Sequence, residues 1–118
     1  MERGGEAMTP DALSTASPVA RELYKELLRA LKPLGSFKTE VKKTSIHLAR
    51  KSAFAGVHPR KEHLLLTIKA AKPIRNKRIV KSEQVSKSRW HEEVKVAAAG
   101  DIDAELLGWL RDAYELCA

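Results

Sequence analysis

The sequence predicts a two-layer α+β domain in which an N-terminal helix and a C-terminal helix cover one face of an antiparallel sheet of four to five strands. Three observations support this prediction. Apolar residues recur at helical spacing in 17–32 and in 103–116, short β-rich segments fill the region between them, and turn-forming residues separate those segments. Consecutive short strands joined by short turns are typical of an antiparallel meander.

The first helix is predicted over 17–32. Ser17 is a favourable N-cap, and Pro18 suits the first helical position, where its missing N–H costs no hydrogen bond. Apolar residues then recur at every fourth position and form one stripe. Pro33 and Gly35 end the helix.

The strands are predicted from a change to alternating apolar and polar residues. The segments that show it, or that carry short β-rich runs, are 37–42, 46–48, 54–57, 64–68 and 90–96. Residues 70–89 contain Pro73, Asn76 and scattered apolar side chains, so we predict a long basic loop there. Residues 1–16 show no periodicity and are expected to be a flexible lead to a single domain over 17–118.

The closing helix is predicted over 103–116, with Asp101 or Asp103 as its cap. Its first turn is acidic, which suits the positive end of the helix dipole. The same acidity makes this helix start a poor phosphate site, because its charge is already neutralised.

The net charge of +7 is confined to the middle of the chain. Residues 37–95 hold sixteen Lys and Arg against five Asp and Glu, whereas 1–36 are balanced and 96–118 are acidic. A concentrated positive field attracts polyanions. Lysines also keep sheet edges soluble, so charge alone leaves both interpretations open.

Catalytic and cofactor motifs do not stand out. The sequence contains no nucleophile elbow, phosphate-binding loop or dinucleotide fingerprint. Adjacent strand residues point to opposite faces, so Glu92 and Glu93 cannot form an acid–base pair, and Glu92 is expected to balance nearby Lys or Arg. We therefore predict no enzyme activity and no cofactor.

A metal site is not predicted either. The four histidines are interpreted as strand or surface residues, because zinc sites need three or four ligands at short spacings and cations stand close to these side chains. They are His47, His58, His63 and His91.

The location of the protein is predicted from its single cysteine and its apolar runs. Cys117 has no partner for a disulfide, which favours a reducing cytoplasm. The longest purely apolar run is Leu64–Leu66, far short of a membrane span, so no membrane partner is expected.

The basic middle is the one feature that indicates a function. Basic residues at strand ends and turns, Arg60 and Lys61 among them, are expected to gather with the long loop into one patch that neutralises phosphates. Trp90 is expected to support that patch from beneath. The predicted nucleic-acid-binding residues are Lys42, Lys43, Arg50, Lys51, Arg75, Lys77, Arg78, Lys81, Lys87, Arg89 and Trp90.

Two alternatives stay open. A protein-interaction accessory module would use the uncovered sheet face or an edge strand to bind a protein partner. A small-ligand sensor would need an apolar pocket between helix and sheet. The sequence does not indicate the oligomeric state.

Five segments, 41–48, 54–57, 61–66, 86–94 and 103–116, carry a family resemblance. They resemble a small bacterial family of domains of unknown function, whose members occur alone or at the C-terminus of predicted transport proteins. The resemblance covers roughly residues 19–117. It implies helices before and after an antiparallel sheet, packed on one face.

The strand tryptophan Trp90 and the closing run Tyr114-Glu115-Leu116 are also distantly similar to the MmcQ/YjbR family. That similarity implies a CyaY-like α+β architecture and a DNA-binding label. The chain departs from its pattern, because His91 follows Trp90 instead of preceding it and Ala113 stands where the family has Ser. Neither family supplies a catalytic residue.

Overall fold

The computed structural model describes residues 11–118, in which two helices lie on one face of a single antiparallel sheet. The α+β class and both predicted helices are confirmed. The helices are α1 (Pro18–Leu31) and α2 (Ala104–Leu116). The strands are β1 (Lys38–Val41), β2 (Ile46–Ala49), β3 (Ala53–Pro59), β4 (Leu64–Ala70), β5 (Ile79–Ser86) and β6 (Arg89–Val96).

Helix α1 begins where the sequence predicts it, because Ser17 caps it. The Ser17 Oγ accepts a hydrogen bond from the Ala20 N–H at 3.0 Å, which satisfies one of the donors that a helix leaves free at its start. Leu23, Leu27 and Leu31 recur at helical spacing and are buried. They form the face that packs on the sheet.

Gly35 lies just after α1 and brings the chain against α2. Its φ of 129° is in the region that favours glycine. A Cβ at this position would stand 2.5 Å from the Tyr114 Oη, and that hydroxyl donates a hydrogen bond to the Ser36 carbonyl at 2.9 Å. The close approach therefore requires glycine on both conformational and steric grounds.

Helix α2 begins at an aspartate cap. The Asp103 Oδ1 accepts a hydrogen bond from the Leu106 N–H at 3.0 Å. The buried residues of α2 include Leu106, Leu110 and Ala113, at helical spacing. This is the predicted apolar stripe, and it lies over the centre of the sheet, where α2 contacts β3 and β4.

The strand order is β1-β2-β3-β4-β6-β5, and every pair is antiparallel. Strands β1 to β4 form the predicted meander. Residues 71–78 then carry the chain past β6 to the far edge of the sheet, and β6 returns between β4 and β5. Successive turns of the meander therefore alternate between the two ends of the sheet.

Strand β5 corrects the prediction of a long loop over 70–89 and raises the strand count to six. Seven of its eight residues are exposed, so no buried face imposes an apolar alternation on its sequence. Backbone pairing to β6 holds it, as in the pair Glu83↔His91. An edge strand exposed on both faces carries no periodic signal by which the sequence could reveal it.

The two faces of the sheet differ sharply. Ile46, Val57, Leu66 and Val94 are in register in one row across four strands, and all four are fully buried in the core beneath the helices. The residues that alternate with them, such as Thr67, are half-buried. That second, uncovered face is called here the open face.

Glu92 departs from the expectation that it balances Lys or Arg. Its side chain lies on the helix-covered face, fully buried, and accepts hydrogen bonds from the Ile74 N–H at 3.0 Å and the Ser82 Oγ at 2.5 Å. Two neutral donors thus satisfy this carboxylate, and they hold the 71–78 connection and β5 to the sheet.

Residues 11–16, predicted to belong to the flexible lead, form a hydrogen-bonded turn. The Ala12 N–H donates to the Lys42 carbonyl at 2.8 Å, and Ala12 is 3% exposed. The turn therefore packs on the domain. The rest of the predicted lead, 1–10, lies outside the described residues.

Within residues 11–118, no helix has the length and apolar character needed to cross a lipid bilayer.

Candidate nucleic-acid interface

The turns 42–45 and 60–63 bring four cations to one end of the sheet. Both turns are closed by backbone hydrogen bonds, from the Lys42 N–H to the Ser45 carbonyl at 2.7 Å and from the Arg60 N–H to the His63 carbonyl at 2.8 Å. Strand β6 ends beside them, because Val96 pairs with Leu64. The cations at this end are called here the basic rim: Lys42, Lys43, Arg60, Lys61 and Lys95.

A hollow of about 400 Å³ lies between the two turns and the start of α1. Lys43, Arg60 and Lys61 line it, together with the hydroxyl residues Ser17 and Thr44. No carboxylate is among its lining residues, and the ion pairs found among residues 11–118 use none of these three cations. The hollow therefore offers charged and neutral hydrogen-bond donors to an anion.

The start of α1 helps to hold this hollow in shape. The Ser17 Oγ donates a hydrogen bond to the Lys61 carbonyl at 2.7 Å while it caps the helix. The first turn of α1 contains no acidic residue, whereas α2 has Asp103 as its cap and Glu105 in its first turn. The positive end of α1 therefore adds to the potential of the rim.

The potential at the rim also acts on His63, which lies beside Lys61 and Lys95. Burial lowers the pKa of His63, and the positive charges of Lys95 and Arg60 lower it further, against the smaller opposing effect of Glu62. Burial and the two cations therefore both disfavour the protonated form of this imidazole.

Arg50 lies at the opposite end of the sheet, where it supports the fold. Its Nη1 donates to the Tyr114 carbonyl at 3.1 Å, and its guanidinium carbon lies 3.9 Å from the centroid of the Tyr114 ring. It therefore satisfies a carbonyl in the last turn of α2 and packs on an aromatic face. Its neighbour Lys51 is exposed.

Arg78 is engaged by the start of α2. Its Nη1 lies 3.0 Å from the Asp103 Oδ1 and 3.2 Å from the Glu105 Oε1, and its Nη2 donates to the Asp101 carbonyl at 2.8 Å. Burial acts to lower the pKa of Arg78, but the two carboxylates outweigh it and raise that pKa. The Leu106 N–H and Arg78 in turn lower the pKa of Asp103.

The other predicted residues are scattered. Arg75 and Lys77 are exposed in the 71–78 connection, and Lys81 is exposed on β5, opposite Glu93. The remaining three, Lys87 in the β5–β6 turn and Arg89 and Trp90 at the start of β6, lie at the end of the sheet remote from the basic rim.

Trp90 is half-buried and lies opposite Ala70 and Gln84. Its side chain lies on the helix-covered face of β6, because residues two apart in a strand share a face and Glu92 is buried on that one.

Of the ten predicted cations, the structure places two, Lys42 and Lys43, on the basic rim.

Arg60 and Lys61 were expected in the basic patch but were not among the predicted binding residues. The structure places both on the rim, together with Lys95, which was not predicted. The signal that finds them is topological, since turns one and three of a meander share one end of the sheet. His47, His58 and His91 lie on the open face. Among residues 11–118, no three His, Cys, Asp or Glu side chains are grouped so as to hold a metal ion.

Residues 10–117 match the domain of unknown function DUF5655, a range that contains the whole span of the predicted resemblance. No curated protein and no solved structure matches the chain significantly. The similarity to the MmcQ/YjbR family and the transport-protein context stay predictions. The match covers all of the described helices and strands, and the chain therefore belongs to the DUF5655 family of domains of unknown function.

Proposed function

We propose that this protein is a non-enzymatic domain that binds nucleic acid through the phosphates, with the basic rim as its contact surface. One observation carries the proposal: three cations line one hollow, and within residues 11–118 no carboxylate lines it and none of the three forms an ion pair. The cytoplasmic location expected from the single cysteine stays a prediction.

Each residue type at the rim suits a phosphate ligand. The Arg60 guanidinium presents a planar fork that matches two phosphate oxygens, while Lys43 and Lys61 supply point charges on flexible stems. Thr44 adds a hydroxyl group at the wall of the hollow, whereas the Ser17 hydroxyl already donates to the Lys61 carbonyl. None of these contacts reads a base, so binding through the rim is expected to be independent of sequence.

The salt dependence of binding tests the proposal. Five phosphate contacts predict a log–log slope of about −4.5 for duplex DNA and about −3.5 for a single strand. Fluorescence anisotropy of labelled DNA and RNA at several salt concentrations measures both values. An absence of binding at low salt would contradict the proposal.

Two charge-matched triple variants separate the rim from general positive charge. Lys43→Ala/Arg60→Ala/Lys61→Ala removes three rim cations, and Lys51→Ala/Lys77→Ala/Lys87→Ala removes three exposed cations elsewhere. The rim variant should lower the slope for duplex DNA by about 2.7, and the control should change it by less than one third of that. Equal losses in the two variants would contradict the rim as the site.

A protein-interaction module is the second candidate, and strand β5 favours it. This edge strand exposes Val80 and Val85, which are 59% and 47% accessible, beside unpaired backbone groups that an incoming strand could pair with. Sedimentation velocity tests a second copy of the chain as the partner. We expect Val80→Lys/Val85→Lys to abolish a concentration-dependent dimer, and a wild-type monomer at every concentration would count against this candidate.

A further inference from the structure

A shallow hollow of about 310 Å³ lies in the centre of the open face, on the side of the sheet opposite α1 and α2. Its floor is low because Gly56 and Thr67, which stand opposite each other in β3 and β4, have short side chains. His47 and Glu93 flank them in the same row of the sheet. Its volume is within the range of small-molecule sites.

Imidazole rings form part of the wall. The His58 Nε2 and the His47 Cδ2 lie 3.6 Å and 4.0 Å from the point where a Cβ on Gly56 would stand. His91 lines the same hollow from β6. Flat aromatic rings around a floor of short side chains favour a flat ligand that stacks on them.

The polar groups of the hollow narrow the chemistry of that ligand. Glu83 and Glu93 line it together with Lys69, so it presents carboxylate acceptors as well as donors. Two carboxylates disfavour a simple anion, and among residues 11–118 the side chains are not grouped to hold a metal ion. A planar heterocycle that carries both an amino group and ring acceptors satisfies both kinds of partner.

The hollow adjoins the basic rim. His58, Leu65 and Lys95 are in register in one row, so a rim residue shares a row with a wall residue of the hollow. Arg60 is also near enough to act on His58, whose pKa is lowered first by burial and then by the Arg60 charge, with Glu93 opposing and His47 adding to the shift. A chain whose phosphates contact the rim can therefore reach the hollow with an adjoining base.

We propose that this hollow receives one unpaired nucleobase with an exocyclic amino group, namely adenine, cytosine or guanine, from a strand whose phosphates contact the basic rim. The inference rests on the proposed function and deepens it, because a base in a duplex cannot leave its stack without an energetic cost. The domain should therefore prefer single-stranded DNA or RNA over a duplex of the same sequence.

Gly56→Val is the decisive variant. It places two methyl groups on the floor of the hollow, and a Cβ there meets its neighbours at ordinary contact distances of 3.6 Å and more. A β-branched residue favours a strand, so the variant should fold at least as well as wild type. Gly108→Ala, on α2 with nothing within 4 Å of the added Cβ, is the control.

The first readout is anisotropy with a single strand and a duplex of equal charge. We expect wild type and Gly108→Ala to prefer the single strand by about 10-fold, the effect of one stacked base. Gly56→Val should lose that preference and keep its duplex affinity. A Gly56→Val protein with an undiminished preference would overturn the inference while leaving the proposed function in place.

The second readout uses uncharged nucleosides and is independent of the rim. In ¹H–¹³C NMR spectra, adenosine, cytidine or guanosine should shift the imidazole resonances of His47, His58 and His91 in wild type, and uridine should shift them least. Gly56→Val should abolish these shifts. If no oligonucleotide binds, the proposed function is wrong, and the nucleoside titration alone tests the base site. Imidazole resonances that do not move with any nucleoside would overturn the base site.

Discussion

The buried carboxylate of Glu92 accepts a hydrogen bond from the Ser82 Oγ at 2.5 Å, a contact that joins β6 to the edge strand β5. The same carboxylate accepts the Ile74 N–H at 3.0 Å. One side chain therefore holds both the 71–78 connection and strand β5, which the sequence predicts as a single loop. Its position beneath the helices, with no exposed surface, makes these hydrogen bonds costly to lose.

Replacing Glu92 separates the role of the hydrogen bonds from that of the charge. Glu92→Ala leaves the half-buried Ile74 N–H without this acceptor and should lower the free energy of unfolding by about 2–3 kcal/mol. Glu92→Gln keeps an acceptor for Ile74 and a donor for Ser82, so it should stay within about 1 kcal/mol of wild type. Urea unfolding at neutral pH measures both, and equal stability of the two variants would contradict this role.

Arg78 tests whether a basic residue of the loop acts in binding or in folding. Its guanidinium joins the 71–78 connection to Asp103 and Glu105, so Arg78→Ala should lower the free energy of unfolding by about 1–2 kcal/mol. Its affinity for duplex DNA should stay within about 2-fold of wild type, since the charge is already paired. Anisotropy and urea unfolding on one preparation provide both values.

A double-variant cycle isolates the ion pair from the helix cap. Asp103→Ser keeps a capping hydroxyl for the Leu106 N–H but removes the partner of Arg78. The coupling free energy between Arg78→Ala and Asp103→Ser should be about 0.5–1 kcal/mol. Additive losses in the double variant would show that Arg78 acts through Glu105 and the Asp101 carbonyl instead.

A second double-variant cycle, of Gly35 and Tyr114, tests the steric contact between these two residues. Gly35→Ala combines an unfavourable φ of 129° with a Cβ placed 2.5 Å from the Tyr114 Oη, and should lower the free energy of unfolding by about 2–3 kcal/mol. Tyr114→Phe alone removes one hydrogen bond, a loss of about 1 kcal/mol.

The combination of the two substitutions gives the sharper test. In the Tyr114→Phe background the added Cβ meets no hydroxyl, so Gly35→Ala should cost about 1 kcal/mol less than in wild type. Thermal and urea unfolding of the four proteins measure this difference. An unchanged cost would mean that the φ angle alone requires glycine at this position.

The sequence predicted those parts of the fold that bury an apolar stripe. Helices α1 and α2 were predictable because Ser17 and Asp103 cap them and leucines recur at helical spacing behind those caps. Strand β5 was not, because it lies at an edge and exposes both faces, so its stability comes from pairing with β6 and from Glu92. Neither contribution leaves a local pattern in the sequence.

The sequence predicted that the candidate site would be basic, but it did not predict which basic residues would lie together. Composition alone located the positive charge in the middle of the chain, yet alternate turns of the meander send Lys43 and Lys51 to opposite ends of the sheet. Arg50 and Arg78 are engaged by α2 through contacts between residues distant in sequence. A list of basic residues therefore needs the topology before it defines a surface.

The pH dependence of stability follows from His58. Burial and Arg60 lower its pKa in the folded state below the ordinary value of 6.5, while the unfolded chain keeps a value near that one. As the pH falls through about 6.5, the unfolded state takes up a proton that the folded state does not, so the free energy of unfolding decreases. The decrease ends once the pH is below the pKa of the folded state.

Urea unfolding between about pH 7.5 and pH 5.5 measures this effect, because the window spans the ordinary pKa of histidine. The pKa of His63 is also lowered in the folded state, so this residue should contribute separately to the loss of stability at low pH. His58→Gln, which removes the titrating group and keeps a polar side chain, should therefore flatten part of the decrease, and His58→Gln/His63→Gln should flatten more of it. A His58→Gln protein that loses stability as steeply as wild type would show that the imidazole of His58 is charged as readily in the folded protein as in the unfolded chain.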